Sequence, residues 1–154
     1  MPRRTRSARR IIAKLRSSAD RRVLLEAAFL LPLVSLGMRT IGWVRVQRLL
    51  DREPSTPARQ SVKEAQHLSA LVEAVARRSP VQFTCLQRSV VLWRVLRRRE
   101  LEAELRIGVR KETAGGRQFH AWVEHGGEVL NDVQHVREQF SIFGASRGKS
   151  EDQS

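Results

Sequence analysis

A single cysteine stands among 154 residues, and there is no tyrosine. One thiol excludes an internal disulfide, so oxidation does not hold the fold together and the reducing cytoplasm is the expected compartment. Three tryptophans and five phenylalanines are the whole aromatic complement, so the 41% apolar content must build its core from Leu, Val, Ile and Ala. Four histidines without ligand spacing, and no second thiolate, argue against a metal centre. No glycine-rich phosphate loop is present; Gly115-Gly116 and Gly126-Gly127 read as hairpin turns, and no cofactor is expected. The apolar run from Val23 to Val34 is interrupted by Glu26 and Pro32. It closes on no small-residue cleavage site and is too short and broken for a transmembrane span. A buried or membrane-surface helix is the expectation.

Acid is scarce as well. Against 29 Lys+Arg there are 16 Asp+Glu, a formal charge of +13. That balance suits an anionic partner such as an acidic peptide, a lipid surface or nucleic acid. An arginine-rich composition also follows from a GC-rich genome. Residues 1 to 22 hold nine basic side chains against one acid, Asp20. No aromatic is interleaved there to stack on bases, so a solvated tail is expected and nucleic acid is not the expected partner.

The chain divides into a disordered basic tail at 1–19, a helical arm and linker at 20–60, a core at 61–143 and a flexible tail at 144–154. Asp20 reads as the N-cap of a first helix, which Pro32 and Gly37 kink or divide. A second helix spans about Met38 to Leu50, with Ile41, Val44 and Leu49 near one face. Pro54 and Pro57 mark the linker. Ser61 and Glu64 fit a capping box for a third helix. Val62, Ala65, Leu68, Leu71, Val72 and Val75 form its apolar stripe. His67 lies beside that stripe with no local partner. Ser79-Pro80 ends it. A fourth helix starts near Cys85 and runs to about Arg99, with Leu86, Val90, Trp93 and Leu96 inward. The period then becomes two: a strand over Leu105–Arg110, a turn at Thr113–Gly116, an antiparallel strand over Phe119–Glu124, and a short strand at Glu128–Leu130. The fold class is α+β, with the Cys-bearing helix packed on a small antiparallel sheet.

Three residues in this order carry chemistry: Cys85, His120 and Asp132. Cys85 opens a helix, where unpaired N–H groups and the positive end of the helix dipole favour a thiolate and can hold an oxyanion. His120 lies on a strand opposite in facing to Phe119 and Ala121. It is expected to point, with Trp122, toward the Cys85 helix. A hairpin centred on Gly126-Gly127 pairs residues whose numbers sum to about 253, which sets His120 beside Asp132. A carboxylate there can accept from one ring nitrogen while the other faces the thiol. His125 in the turn and His135 beyond the strand rank below His120. Gln82 and Gln87 are both candidates for an oxyanion side chain.

Cys85-Leu86-Gln87-Arg88-Ser89, Ile107-Gly108-Val109, His120-Ala121-Trp122-Val123-Glu124 and Asn131-Asp132 together resemble the transglutaminase-like leader peptidases of bacterial lasso peptide biosynthesis. The resemblance covers about Val23 to Phe143. It implies a papain-like cysteine protease core, a Cys85, His120, Asp132 triad, and cleavage of a ribosomally made precursor between leader and core peptide. It also implies partners: the precursor's leader, a separate small leader-recognition protein, and an ATP-dependent cyclase that closes the released core. No room for a fused leader-recognition domain is expected ahead of the arm. The arm's apolar run would dock a partner or touch a membrane surface. Phe119 departs from the small residue expected before the histidine. Two other readings remain open: transamidation or deamidation on the same triad, and a basic adaptor or nucleic-acid-binding protein with a degenerate one.

Overall fold

A computed structural model describes residues 18–50, 60–111 and 116–142. The expected tails, except for Ser18 and Ala19, lie outside the described residues. So do the linker but for its last residue, most of the turn at Thr113–Gly116, and Phe143. Helix α1 spans Ser18–Thr40 and α2 Trp43–Leu50. They are followed by α3, Val62–Arg78, and α4, Cys85–Arg97. Strands β1, Glu104–Lys111, β2, Arg117–His125, and β3, Glu128–Val129, come next. A short helix α5, Val136–Gln139, and a strand β4, Ser141–Ile142, close the described chain. Neither was foreseen; each is too short to leave a periodic signal.

Helix α1 starts before Asp20. Asp20 sits inside it, buried, and its carboxylate meets His67 Nε2 on α3 at 2.9 Å. The partner that His67 lacked in the sequence is thus 47 residues away. Pro32 does not break the helix. The division falls instead at Gly42, which takes φ +80° while Gly37 O accepts from the Ile41 and Gly42 N–H groups. Uninterrupted, α1 is long and apolar enough to cross a bilayer by length and composition alone. Its Val23, Ala27, Leu31 and Val34, spaced by four, four and three, are built into the core against α3 and α4, which a spanning role would forfeit. Among the described side chains of α2, Val46 is buried and Val44 exposed; Ile41 precedes the helix and is exposed, and the Leu49 side chain lies outside what is described.

The capping box expected at Ser61 does not form; the Ser61 hydroxyl makes no cap bond. Its N–H donates instead to His125 Nε2 at 3.1 Å. A capping box occurs at α4, where Thr84 Oγ1 accepts from Gln87 N–H and Gln87 Oε1 accepts from Thr84 N–H. That box fixes where the cysteine helix begins.

The sheet has the order β3-β2-β1-β4, all antiparallel. Glu124 pairs with Val129 and His125 with Glu128, the register expected from the Gly126-Gly127 turn. Both glycines take positive φ, as a two-residue hairpin turn requires. One face of the sheet, through Val123, joins the main core with Val90, Val91, Val95 and Leu96 of α4. The other carries Trp122, which packs with Val129, Val136 and Phe140 in a second small core.

Candidate active site

Two opposing periodicities meet at this site. Along β2, side chains alternate between the faces, and Val123 belongs to the α4 core. Ala121 shares that face, so His120 and Trp122 lie on the other one. The expected facing is therefore reversed: His120 does not point into the helical layer. Its ring sits 5.1 Å from the Phe140 ring and 6.2 Å from Trp122, nearly parallel to the latter. The cause is packing volume. The buried face of α4 already fills the helical side with Val90, Val91, Leu92, Trp93, Val95 and Leu96, and the Trp122 indole packs on the other with Val129, Val136 and Phe140.

His120 Nε2 is in hydrogen-bond contact with Asp132 Oδ2. Asp132 Oδ1 accepts from the Val133 N–H at 2.7 Å, which orients the carboxylate. Nδ1 is the nitrogen left to exchange a proton with a nucleophile. Both side chains are about three-quarters buried.

Cys85 is half-buried at the first position of α4. Its Sγ makes no hydrogen bond among the described residues. It is tied to His120 through Ser89, one turn further along the same helix face. The Ser89 hydroxyl, fully buried, donates to the Ala121 carbonyl at 2.9 Å. It accepts from Asn131 Nδ2 at 2.8 Å. Asn131 Oδ1 accepts from the Val123 N–H at 2.8 Å. This buried network joins the cysteine helix, the histidine strand and the aspartate loop. The structure thus puts His120 and Asp132 in contact, and Cys85 one helical turn from their common anchor. The Thr84 side chain and carbonyl take the N–H groups of Gln87 and Arg88. The N–H groups at Cys85 and Leu86 remain as the oxyanion donors that this helix start can offer.

The other candidates are engaged elsewhere. Gln87 is buried, with Oε1 in the capping box and Nε2 donating to Ser35 Oγ at 3.2 Å, so it is not free to hold an oxyanion. Gln82 is exposed. His125 ends β2 rather than standing in the turn. It is buried, with Nδ1 on the Glu102 carbonyl and Nε2 on the Ser61 N–H. His135 is exposed at the start of α5. No group of three or more metal-ligating side chains exists among the described residues.

Reasoning from sequence missed the support beneath the histidine. Gly108 pairs across the strands with His120. A Cβ at Gly108 would lie 2.6 Å from Phe140 Cβ and 2.9 Å from Trp122 Cζ3. Only the bare glycine lets those rings close under the imidazole. Beside them, Trp122 Nε1 donates to Glu124 Oε1 at 2.8 Å, and Arg137 Nε donates to the same oxygen at 2.8 Å. Arg106 Nε reaches Glu124 Oε2 at 3.4 Å. Burial alone would raise the Glu124 pKa. The Trp122 and Arg137 hydrogen bonds and the two guanidinium charges outweigh it and hold the carboxyl below its ordinary value.

A family model described as the transglutaminase-like superfamily matches residues 27–143. The chain belongs to the transglutaminase-like superfamily. The match begins at Ala27, inside α1, and ends just beyond β4. The chain is also similar to the microcin J25-processing protein McjB of Escherichia coli, at 41% identity over 59 residues. That alignment covers 38% of this chain and 27% of the relative. No solved structure matches.

Proposed function

We propose that this superfamily member is a cysteine endopeptidase that removes the leader from a ribosomally made lasso peptide precursor in the cytoplasm. The observation that carries the reading is the His120–Asp132 pair joined through Asn131 and Ser89 to the start of the cysteine helix. The similarity to a protein named for processing microcin J25 supplies the substrate class. His120 Nδ1 takes the Cys85 proton, and the sulfur adds to the carbonyl carbon of the last leader residue. The oxyanion is held by the N–H groups that open α4. The imidazolium returns its proton to the leaving amine of the core peptide as the C–N bond breaks. Water, deprotonated by the same imidazole, then releases the leader from the thioester. Asp132 fixes the orientation and tautomer of the ring, leaving Nδ1 for the exchange. A separate small leader-recognition protein presents the substrate, and a cyclase takes up the released core.

The test is cleavage of the precursor peptide encoded beside this protein, read by mass spectrometry, with and without the neighbouring leader-recognition protein. One cut at the leader–core junction, abolished by Cys85→Ala, is the expected result. A folded protein that makes no cut under either condition refutes the reading, as does an undiminished cut by Cys85→Ala.

A further inference from the structure

The cleft between α1 and α3 holds a cavity of about 610 Å3. Leu24, Ala28 and Leu31 of α1, Leu71 and Val75 of α3, and Phe83 from the segment leading into α4 wall it. At its mouth Leu25 is 72% exposed and Val81 50%. Apolar surface left open around an apolar hollow marks a binding site.

Position and charge say what the occupant is. Phe83 stands two residues before Cys85. A second hollow, of about 810 Å3, reaches Arg88 and Asp132, and shares Ala74 and Arg78 with the first. A path therefore runs from the apolar cavity, over the last turns of α3, to the carboxylate that holds His120. Arg77 and Arg88 on this path meet Glu73 at 3.7 and 3.2 Å. Arg78, at the joint, donates to the Ala74 carbonyl at 3.3 Å and meets no carboxylate among the described residues. A second copy of a chain with a net charge of +13 would oppose that arginine with like charge.

We propose that this path is the binding groove for the peptide substrate. An apolar side chain of the peptide fills the α1–α3 cavity, and a peptide carboxylate meets Arg78. The peptide passes Phe83, two residues before Cys85, and runs on toward Asp132. The inference rests on the proposed peptidase function for the identity of the peptide.

The experiment uses the full chain carrying Cys85→Ala, so that nothing is turned over, and a fluorescein-labelled precursor peptide read by fluorescence anisotropy. Ala28→Trp projects an indole into the cavity from an exposed position. Arg78→Glu reverses the charge at the joint. Ala28→Trp is expected to raise Kd at least about tenfold and Arg78→Glu about fivefold, with unchanged melting curves. If Ala28→Trp lowers the melting temperature, Arg78→Glu, a surface change, decides. Affinities within about twofold of the parent, or no binding by the parent, overturn the groove. So does an Ala28→Trp effect confined to self-association or to sedimentation with anionic vesicles. Peptide bound in the groove but left uncut by the wild-type chain would uphold the groove and sink the peptidase reading.

Discussion

Ser89→Ala tests whether the site is held by its buried network. The hydroxyl makes two bonds, to the Ala121 carbonyl at 2.9 Å and from Asn131 Nδ2 at 2.8 Å. Alanine fits the space but leaves both partners without a bond where water has little access. Each such orphan costs about 1–3 kcal/mol, so a loss of about 2–4 kcal/mol is expected, part of it recovered as Asn131 relaxes. In a chain of this size that lowers Tm by roughly 5–15 °C. Stability alone does not identify a positioning role, so Val90→Ala is the control. Val90 is the next residue, fully buried, and packs in the main core away from the network. Its truncation costs about 2–3 kcal/mol by transfer and cavity terms. The two variants should melt alike and differ in chemistry. Single-turnover cleavage by Ser89→Ala should fall about 100-fold, because small misplacements of reacting groups cost that much, while Val90→Ala stays within about threefold of wild type. Alkylation of Cys85 by iodoacetamide, which needs no substrate, should change in Ser89→Ala alone. Equal activity in the two variants, or a Ser89→Ala protein with wild-type melting, would refute the argument.

Three further outcomes follow from the site. His120→Ala should cost about 10²–10⁴-fold in single-turnover rate and Asp132→Ala less, with KM little changed in both; a wild-type rate for His120→Ala would remove it from the chemistry. Gly108→Ala forces a Cβ against Phe140 and Trp122 and should destabilise the chain by about 1–3 kcal/mol by urea denaturation while slowing cleavage. Glu124 has a folded-state pKa below its unfolded one. Its contribution to stability is therefore present above the unfolded value and lost as pH falls through the folded value. The gap in urea midpoint between wild type and Glu124→Gln should be widest near neutrality and close in acid; a gap that widens in acid contradicts the sign.

Chemistry and local order were legible in the sequence where one rule acted alone. The stripes of α3 and α4, the alternation of β1 and β2 and the Gly126-Gly127 register each follow from a single period or turn type. The pairing of His120 with Asp132 followed from that register. Errors arose where a long-range partner overrode a local signal. Ser61 does stand at the N-cap of α3, but its hydroxyl makes no cap bond and its N–H is claimed by His125 from another part of the chain, so the capping box does not form. Asp20 looks like an N-cap and is instead the buried partner of His67. Pro32 looks like a break, but packing of α1 on two helices carries the helix through it. The facing of His120 failed for a different reason. Alternation says which residues share a face, not which face meets the helices, and only the volumes on either side decide that.

The shortness of β3 is what admits the cysteine helix to the histidine strand. On β2, residues 121 and 123 direct their main-chain groups to the β3 side, since the Val123 carbonyl accepts from Leu130 N–H at 3.0 Å. A β3 that continued past Val129 would cover this edge with backbone and use the Ala121 carbonyl itself. It stops instead, and the chain turns out through Asn131 and Asp132. The Asn131 side-chain carbonyl accepts from the Val123 N–H as a strand carbonyl would. Its amide then points to Ser89, and Ser89 takes the Ala121 carbonyl. One side chain therefore finishes the sheet edge and anchors the helix, and its neighbour Asp132 is delivered to His120 by the same turn. The adjacency of Asn131 and Asp132 in sequence is thus a geometric requirement. The first residue closes the edge that the second must reach past to hold the imidazole.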